Sequence, residues 1–271
     1  MELIVPFPSS SKAFFQRASE TRAETKHCVD QGVNALTMIN TYDQYGVSVM
    51  MPVYNQASFI TRAVASLMQQ THPNWELLLI DDGSSDNLRE TVIPYLSDPR
   101  IRFLPHSVNK GLGYSLNHGL KHAQHPLIAY LPADDVYYKD HLRQLICLIH
   151  QKDTHVMAVS GVRHHYNKNS SGQIDGYPIQ LVQVLHKKTK DRWIERDELV
   201  TDDLDRMFWT KLRNRGSSCN SEKVSCEWVD HPQQRHKILQ EPVGGIQLYK
   251  QYYRVNQPLR FHTTTEIILM K

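Results

Sequence analysis

Two acidic clusters have the residue types and spacing to do chemistry. The first is Asp81-Asp82-Gly83-Ser84-Ser85-Asp86, which sets three carboxylates and two hydroxyls in one short segment with no nearby cation. Like charges this close repel unless a cation or a donor-rich ligand sits among them, so the segment asks for more than a turn. The second is the pair Asp134-Asp135. Adjacent carboxylates suit a hard divalent cation that also grips phosphate oxygens, although either one could simply cap a helix. Downstream, EWVDHPQQRHK holds His231, Arg235 and His236. With Cys219 and Cys226 these histidines could suggest structural zinc, but their spacing fits no strong zinc signature. Arg235 has the bidentate fork that clamps a diphosphate, and GGIQLY from Gly244 could serve as a mobile loop.

The pattern around these acids says what must position them. VSVMMPVY from Val47 is an apolar run that predicts a buried strand, and Gln56 to Gln70 follows with Phe59, Ile60, Val64, Leu67 and Met68 at helical spacing. WELLLID predicts a second strand ending on Asp81. The helix after it, Asn87 to Leu96, would be capped by Ser85 or Asp86. IRFL, then a helix from Lys110 to Ala123, then the strand LIAYL, a helix from about Tyr138 to Gln151 and the strand VMAVSG continue the alternation. Such a series implies right-handed crossovers and a mostly parallel sheet covered on both faces, with ligands at the carboxyl ends of the strands. Asp81 and Asp134 both fall at that edge.

Flanking this unit, residues 1 to about 45 are polar and aperiodic apart from a short helix expected around Lys12 to Lys26. They read as an extension. After Gly161 the pattern weakens: a polar loop from Arg163 to Gly176, an apolar stretch IQLVQVL, a charged segment and a helix from about Asp202 to Arg213. The last stretch mixes aromatics, His and Gly without a clean period. The expected division is therefore 1–45, 46–160 and 161–271.

Composition removes other classes. The chain has 271 residues, 40% hydrophobic and 22% charged, which excludes fibrous or broadly disordered states. Its net charge of +3 comes from 31 Lys and Arg against 28 Asp and Glu spread along the chain, so nothing calls for a nucleic acid polymer. The four cysteines, Cys28, Cys147, Cys219 and Cys226, are scattered in a chain too long to depend on bridges, which favours a reducing compartment. No run reaches membrane-spanning length, and the apolar amino terminus is broken by Pro6 and Pro8. A cytoplasmic protein is expected, peripheral at the inner face of the membrane if it meets one.

VSVMMPVYNQASFITRAVASLMQQTHPNWELLLIDDGSSD, NKGLGYSLNHGLKHA and LIAYLPADD, in that order and spacing, resemble the nucleotide-binding half of the family 2 inverting glycosyltransferases, over roughly Val47 to Val159. The resemblance implies a GT-A fold: α/β, with a Rossmann-like, mostly parallel central sheet and helices on both faces. It also implies a nucleotide-sugar donor, commonly UDP-linked, a Mn or Mg ion, and a glycan or lipid-linked acceptor in bacterial surface polysaccharide synthesis. By the same resemblance Pro52, Val53, Tyr54 and Asn55, with Asp81 and Asp82, surround the base. Tyr54 would offer a ring face and Asp81 would accept an imino proton. Asn109, Lys110 and Gly111 flank the donor, with Lys110 toward phosphate, and Ala133 and Asp134 belong to the DXD metal motif.

Asp134 matches the second acid of that motif, while Pro132 stands where the family has the first; Asp135, one residue on, is the acid available to compensate. A downstream His joins the metal shell in some of these enzymes, and His231 is the candidate. TDDLDRMFWTKL resembles the segment that carries the family's catalytic base, which makes Asp203 the first choice and Asp202 the second. Read as structure alone, the same pair is a helix start with acids in its first turn. Two other functions fit part of the pattern: a nucleotide-sugar-binding module that lost turnover, suggested by Pro132, and a sugar-phosphate nucleotidylyltransferase. The latter is disfavoured because no glycine-rich basic loop follows the first strand.

Overall fold

The computed structural model describes residues 42–164, 179–198, 204–229, 231, 260–262 and 267–269. The helix expected over Lys12 to Lys26 and nearly all of the amino-terminal extension lie outside these residues. Strands β1 (Val47–Val53), β2 (Trp75–Asp81), β3 (Ile101–Pro105) and β4 (Leu127–Tyr130) alternate with helices α1 (Ala57–Met68), α2 (Leu88–Val92) and α3 (Leu112–His122). Next come β5 (Val136–Tyr137), α4 (His141–Ile149), β6 (His155–His164), β7 (Val184–Lys187), α5 (Leu204–Arg213) and β8 (Ser217–Trp228). These eight strands form one sheet in the order β3-β2-β1-β4-β7-β6-β8-β5. A separate antiparallel pair, β9 (Arg260–His262) and β10 (Ile267–Leu269), completes the described chain.

The first four strands in that order are mutually parallel, as the strand–helix alternation requires. Their alternate residues serve two cores. Val47, Val49, Met51, Leu77 and Leu79 meet the apolar faces of α1 and α4, while Met50, Leu78 and Ile80 meet α3, Trp193 and the Phe208–Trp209 pair of α5. All eight of these strand residues are fully buried. That explains their continuous apolar runs, since a strand covered on both faces has no polar side to show.

Beyond β4 the pattern changes. IQLVQVL, read as one apolar stretch, divides into a 3-10 turn at Leu181–Gln183 and strand β7, which runs antiparallel between β4 and β6. β6 and β8 are parallel to each other, and β6 runs through the expected division at residue 160. The long strand β8, SSCNSEKVSCEW, had no counterpart in the sequence reading because its residues are mostly small or polar. The helix expected over Asn87 to Leu96 is cut short: α2 ends at Val92, and Pro94 carries the chain into a 3-10 turn at Ile93–Ser97. Among the described residues no helix is long and apolar enough to cross a membrane.

Candidate functional site

β1 and β2 end in register, with Val53 opposite Asp81, and β4 lies against the other side of β1. The loops that follow all three strands therefore share one edge of the sheet. Pro52 is part of β1. Tyr54 stands past its end with 48% of its surface exposed, enough to offer a ring face to a ligand. Asn55 adopts a left-handed backbone, φ 53°, which brings its amide to Ser84 Oγ (3.0 Å) and its side-chain oxygen to the Ser85 N–H (2.8 Å). The loops after β1 and β2 are thus tied together.

The three acids of the second loop are used differently. Asp81 Oδ1 accepts the Ser84 N–H at 2.8 Å, and among the described residues nothing donates to its Oδ2. Asp82 is buried, with both oxygens taken by backbone: Oδ1 by Lys110 N–H and Oδ2 by Gly111 N–H, each at 2.8 Å. His106 Nδ1 lies 3.1 Å from Asp82 Oδ1, with His118 Nδ1 a further 2.8 Å from its Nε2. Asp86 accepts the first amides of two helices, from Ala57 at 2.9 Å and from Leu88 at 3.2 Å. Backbone donors thus relieve much of the repulsion in DDGSSD. Gly111, at φ 93°, makes the turn that aims two consecutive amides at one carboxylate. Lys110 Nζ rests on the Tyr114 ring, 4.3 Å from its centroid.

After β4, Pro132 and buried Ala133 lead into Asp134. Its Oδ2 receives Gln56 Nε2 and His231 Nε2, each at 3.0 Å, and its backbone oxygen receives Arg62 NH2 at 3.1 Å. His231 is buried and packs on Phe59, ring centroids 4.1 Å apart. Asp135 points the other way. Its carboxyl is buried, accepts the Val229 N–H at 3.0 Å, and is pushed well above the usual carboxylate range by burial and then by the charge of Asp134. The structure thus brings Asp134 and His231 together and sends Asp135 into the interior beneath them. Neither acid caps a helix: α4 begins after Asp140, which makes no side-chain cap bond.

Asp134 offers a carboxylate oxygen, and His231 would offer Nε2 in the tautomer that carries its proton on Nδ1, a mixed set suited to Mn or Mg when phosphate oxygens and water fill the remaining positions. Among the described residues no group of three or more His, Cys, Asp and Glu is arranged to hold a metal by itself. The zinc alternative includes His236, which lies outside the described residues. Cys219 and Cys226 are free thiols, and burial pushes that of Cys219 up to about 12.

The family profile described as "Glycosyl transferase family 2" matches residues 48–213, more than half of the chain and all of the loops just described. The chain belongs to glycosyl transferase family 2. Within the family it is 40% identical over 107 residues to the UDP-Glc:alpha-D-GlcNAc-diphosphoundecaprenol beta-1,3-glucosyltransferase WfgD of Escherichia coli, a match covering 40% of this chain and 42% of that protein. The match spans less than half the length of the curated relatives named here, 42% of the E. coli protein and 15% of a Rickettsia felis glycosyltransferase. Its fold is shared with the Staphylococcus aureus TarS fragment 1–349 in complex with UDP-GlcNAc: TM-score 0.59 at 17% identity, covering 71% of this chain and 60% of that one. A mannosyltransferase from Pyrobaculum calidifontis, in complex with GDP-Man and Mn2+, aligns with TM-score 0.59 at 15% identity over 77% of this chain and 66% of that one. Both likenesses place this family 2 chain in the GT-A fold.

Sequence reasoning missed several residues of the site. Gln56, Phe59 and Arg62 lie near the α1 start and hold Asp134 and His231; in sequence Gln56 and Phe59 read only as the start and an apolar position of a helix, and Arg62 carried no signal. Asn117 and Arg196 were missed as well, because their contacts join positions far apart in the chain. Asp202, Asp203, Arg235, His236 and the GGIQLY segment lie outside the described residues.

Proposed function

We propose that this chain transfers a sugar from a nucleotide-diphosphate donor, UDP-linked, to a hydroxyl of a glycan or lipid-linked acceptor with inversion at the anomeric carbon, in the assembly of a bacterial surface polysaccharide. The observation that carries this reading is the placement of Asp81 and Asp134 on either side of the β1 end, with His231 on Asp134. Family membership gives the class of reaction. The UDP-glucose named for the E. coli relative and the UDP-GlcNAc in the TarS complex favour uridine over other bases.

In this reading Tyr54 stacks on the base and Asp81 Oδ2 accepts its imino N–H, while Lys110 turns from Tyr114 toward the phosphates. Asp134 and His231 would hold a divalent cation, which when bound neutralises charge on the departing diphosphate. Asp82 shapes the donor turn and Asp135 seats the end of β8. Asp203, or failing it Asp202, takes the acceptor's proton as the hydroxyl oxygen bonds to the anomeric carbon and the bond to the nucleoside diphosphate breaks.

Incubation with a panel of nucleotide sugars and Mn, scored for nucleotide diphosphate release, tests the class. Asp203→Asn should lower the transfer rate by about two to four orders of magnitude and leave donor affinity nearly unchanged. If Asp203→Asn and Asp202→Asn both keep full activity, the proton goes elsewhere. Nucleotide binding with no release from any donor would favour the binding-module reading.

A further inference from the structure

The segment between β7 and α5 crosses α3 as a strap, and its anchoring exceeds what a connection needs. Asn117, in the middle of α3, accepts the Trp193 N–H at 2.8 Å and donates to Trp193 O at 3.0 Å and to Glu195 Oε1 at 2.8 Å. Trp193 is fully buried and stacks on Phe208, ring centroids 4.2 Å apart. Lys211 of α5 donates to Arg192 O at 2.6 Å, and Arg215 pairs with Asp191 at 2.9 Å. The strap lies so close to the first turn of α3 that a Cβ on Gly113 would fall 2.0 Å from Ile194 O. Glycine is the one residue that admits this approach.

These anchors end at Arg196, in the 3-10 turn Arg196–Glu198. Its guanidinium donates from NH2 to Asn109 Oδ1 and from NH1 to Asn109 O at 3.3 Å. It also covers Gly111, where a Cβ would meet Arg196 Nε at 2.9 Å. The turn Asn109–Gly111 is therefore gripped from two sides: Asp82 holds the amides of Lys110 and Gly111 from the β2 loop, and Arg196 holds the side chain and carbonyl of Asn109 from the strap.

We propose that Arg196 is a donor-positioning residue, supplied by the second half of the chain, that fixes the Asn109–Gly111 turn in the form that receives the nucleotide sugar. The inference rests on the functional reading above. Two points separate it from a plain structural anchor. The strap is already fastened by Asn117, Trp193 and Lys211, so the contacts of Arg196 with Asn109 and Gly111 add a grip on the donor turn in particular. The contact also uses both arms of a planar fork on two oxygens of one residue, a geometry that a lysine ammonium does not reproduce.

The test uses the full chain with Mn and UDP, and then the nucleotide sugar that gives release. Arg196→Ala should weaken UDP binding and raise the donor KM by about tenfold, the scale of a lost charge-assisted contact, while kcat moves by less than about threefold. Arg196→Lys should recover less than half of that loss on a logarithmic scale. Asn117→Ala, which loosens the strap and leaves Arg196 intact, should shift the same two quantities in the same direction by a smaller factor. An Arg196→Ala protein with unchanged UDP affinity and donor KM and only a lower melting temperature overturns the proposal, as does complete rescue by lysine. Should the wild-type chain bind UDP but release it from no sugar donor, the transfer reading fails while UDP affinity still decides the role of Arg196. Failure of the wild-type chain to bind UDP overturns both.

Discussion

The two halves of the sheet are built by different means. In β3-β2-β1-β4 the strands are parallel and mostly apolar, and the loops at their ends are set by carboxylates on backbone amides, as Asp82 does for Lys110 and Gly111 and Asp86 does for Ala57 and Leu88. In β7-β6-β8-β5 the pairing is mixed, and the half joins the first where β7 pairs antiparallel with β4. Across that junction His186 of β7 accepts from the Tyr130 hydroxyl of β4 at 2.7 Å. Within the second half His141 of α4 meets Ser225 Oγ of β8 at 2.8 Å, and the Tyr138 hydroxyl donates to Glu227 at 2.6 Å. The first half is thus shaped by its own backbone, and the second is docked onto it. The candidate site lies at this seam, since Asp134 comes from one half and His231 from the other.

If the comparison holds, acids at the seam act on ligand and acids latched to backbone act on the fold. The largest effect is expected at Asp134. Replacing it by Ala removes the one carboxylate that faces His231 and the diphosphate side, so turnover should fall by about a thousandfold or more, with the melting temperature changed little. UDP affinity in the presence of Mn should drop with it. An Asp134→Ala protein that binds UDP and Mn as the wild type does would place the ligand elsewhere and break the comparison at its centre.

A smaller effect of a different kind is expected at Asp82. Asp82→Ala leaves the buried amide of Gly111 and the part-buried amide of Lys110 without their acceptor, and a buried group so left costs about 1 to 3 kcal/mol. Chemical denaturation should show a loss of about 3 kcal/mol in unfolding free energy, with Asp82→Asn milder because one oxygen remains. Unaltered stability combined with lost UDP binding would make Asp82 a ligand residue and erase the distinction between latched and seam acids.

How much was legible in the sequence follows the same division. The first half was readable because a strand buried on both faces must be apolar at every position, as LLLI of β2 is, and because a helix over it must repeat its apolar residues every third or fourth position. The second half was not, because β8 carries Ser, Asn and Lys where one edge of it meets short partners, and because β7 inserts itself antiparallel after a long excursion of the chain. In the site, Asp81 and Asp134 were readable from their place after apolar strands. The fate of their neighbours was not: whether an acid faces a ligand or a backbone amide depends on loops brought together from distant parts of the chain. Asp82 and Asp135 look like Asp81 and Asp134 on paper, yet one grips the amides of Lys110 and Gly111 and the other is buried on Val229.

The smallest effect expected, and the one that bears on the seam itself, is a response to acid. Burial lowers the pKa of His141 to about 3 and that of His186 to about 4, against 6.5 for a free histidine. Both are neutral when folded, and His186 must remain so at Nε2 to accept from Tyr130, since its Nδ1 donates to Lys187 O. Above pH 6.5 folded and unfolded chains bind the same number of protons at these sites, so the histidines add no pH dependence. Below it the unfolded chain takes up protons that the folded chain refuses, and stability falls as pH falls, by roughly 1.4 kcal/mol per unit for each histidine, until pH reaches the folded value. The ion-paired acids Asp98, Asp191 and Glu198 act in another window: their lowered pKa values cost stability only once pH drops below about 4.5. From pH 7 to pH 5 the buried Asp135, whose raised pKa adds stability as pH falls, opposes the histidines. Denaturant midpoints of the wild type and of His186→Gln compared across that interval therefore read His186, and the wild type is expected to lose more stability than the variant. Equal profiles for the two would mean that the polar group joining the halves is open to water, and that the second half is not docked in the way described.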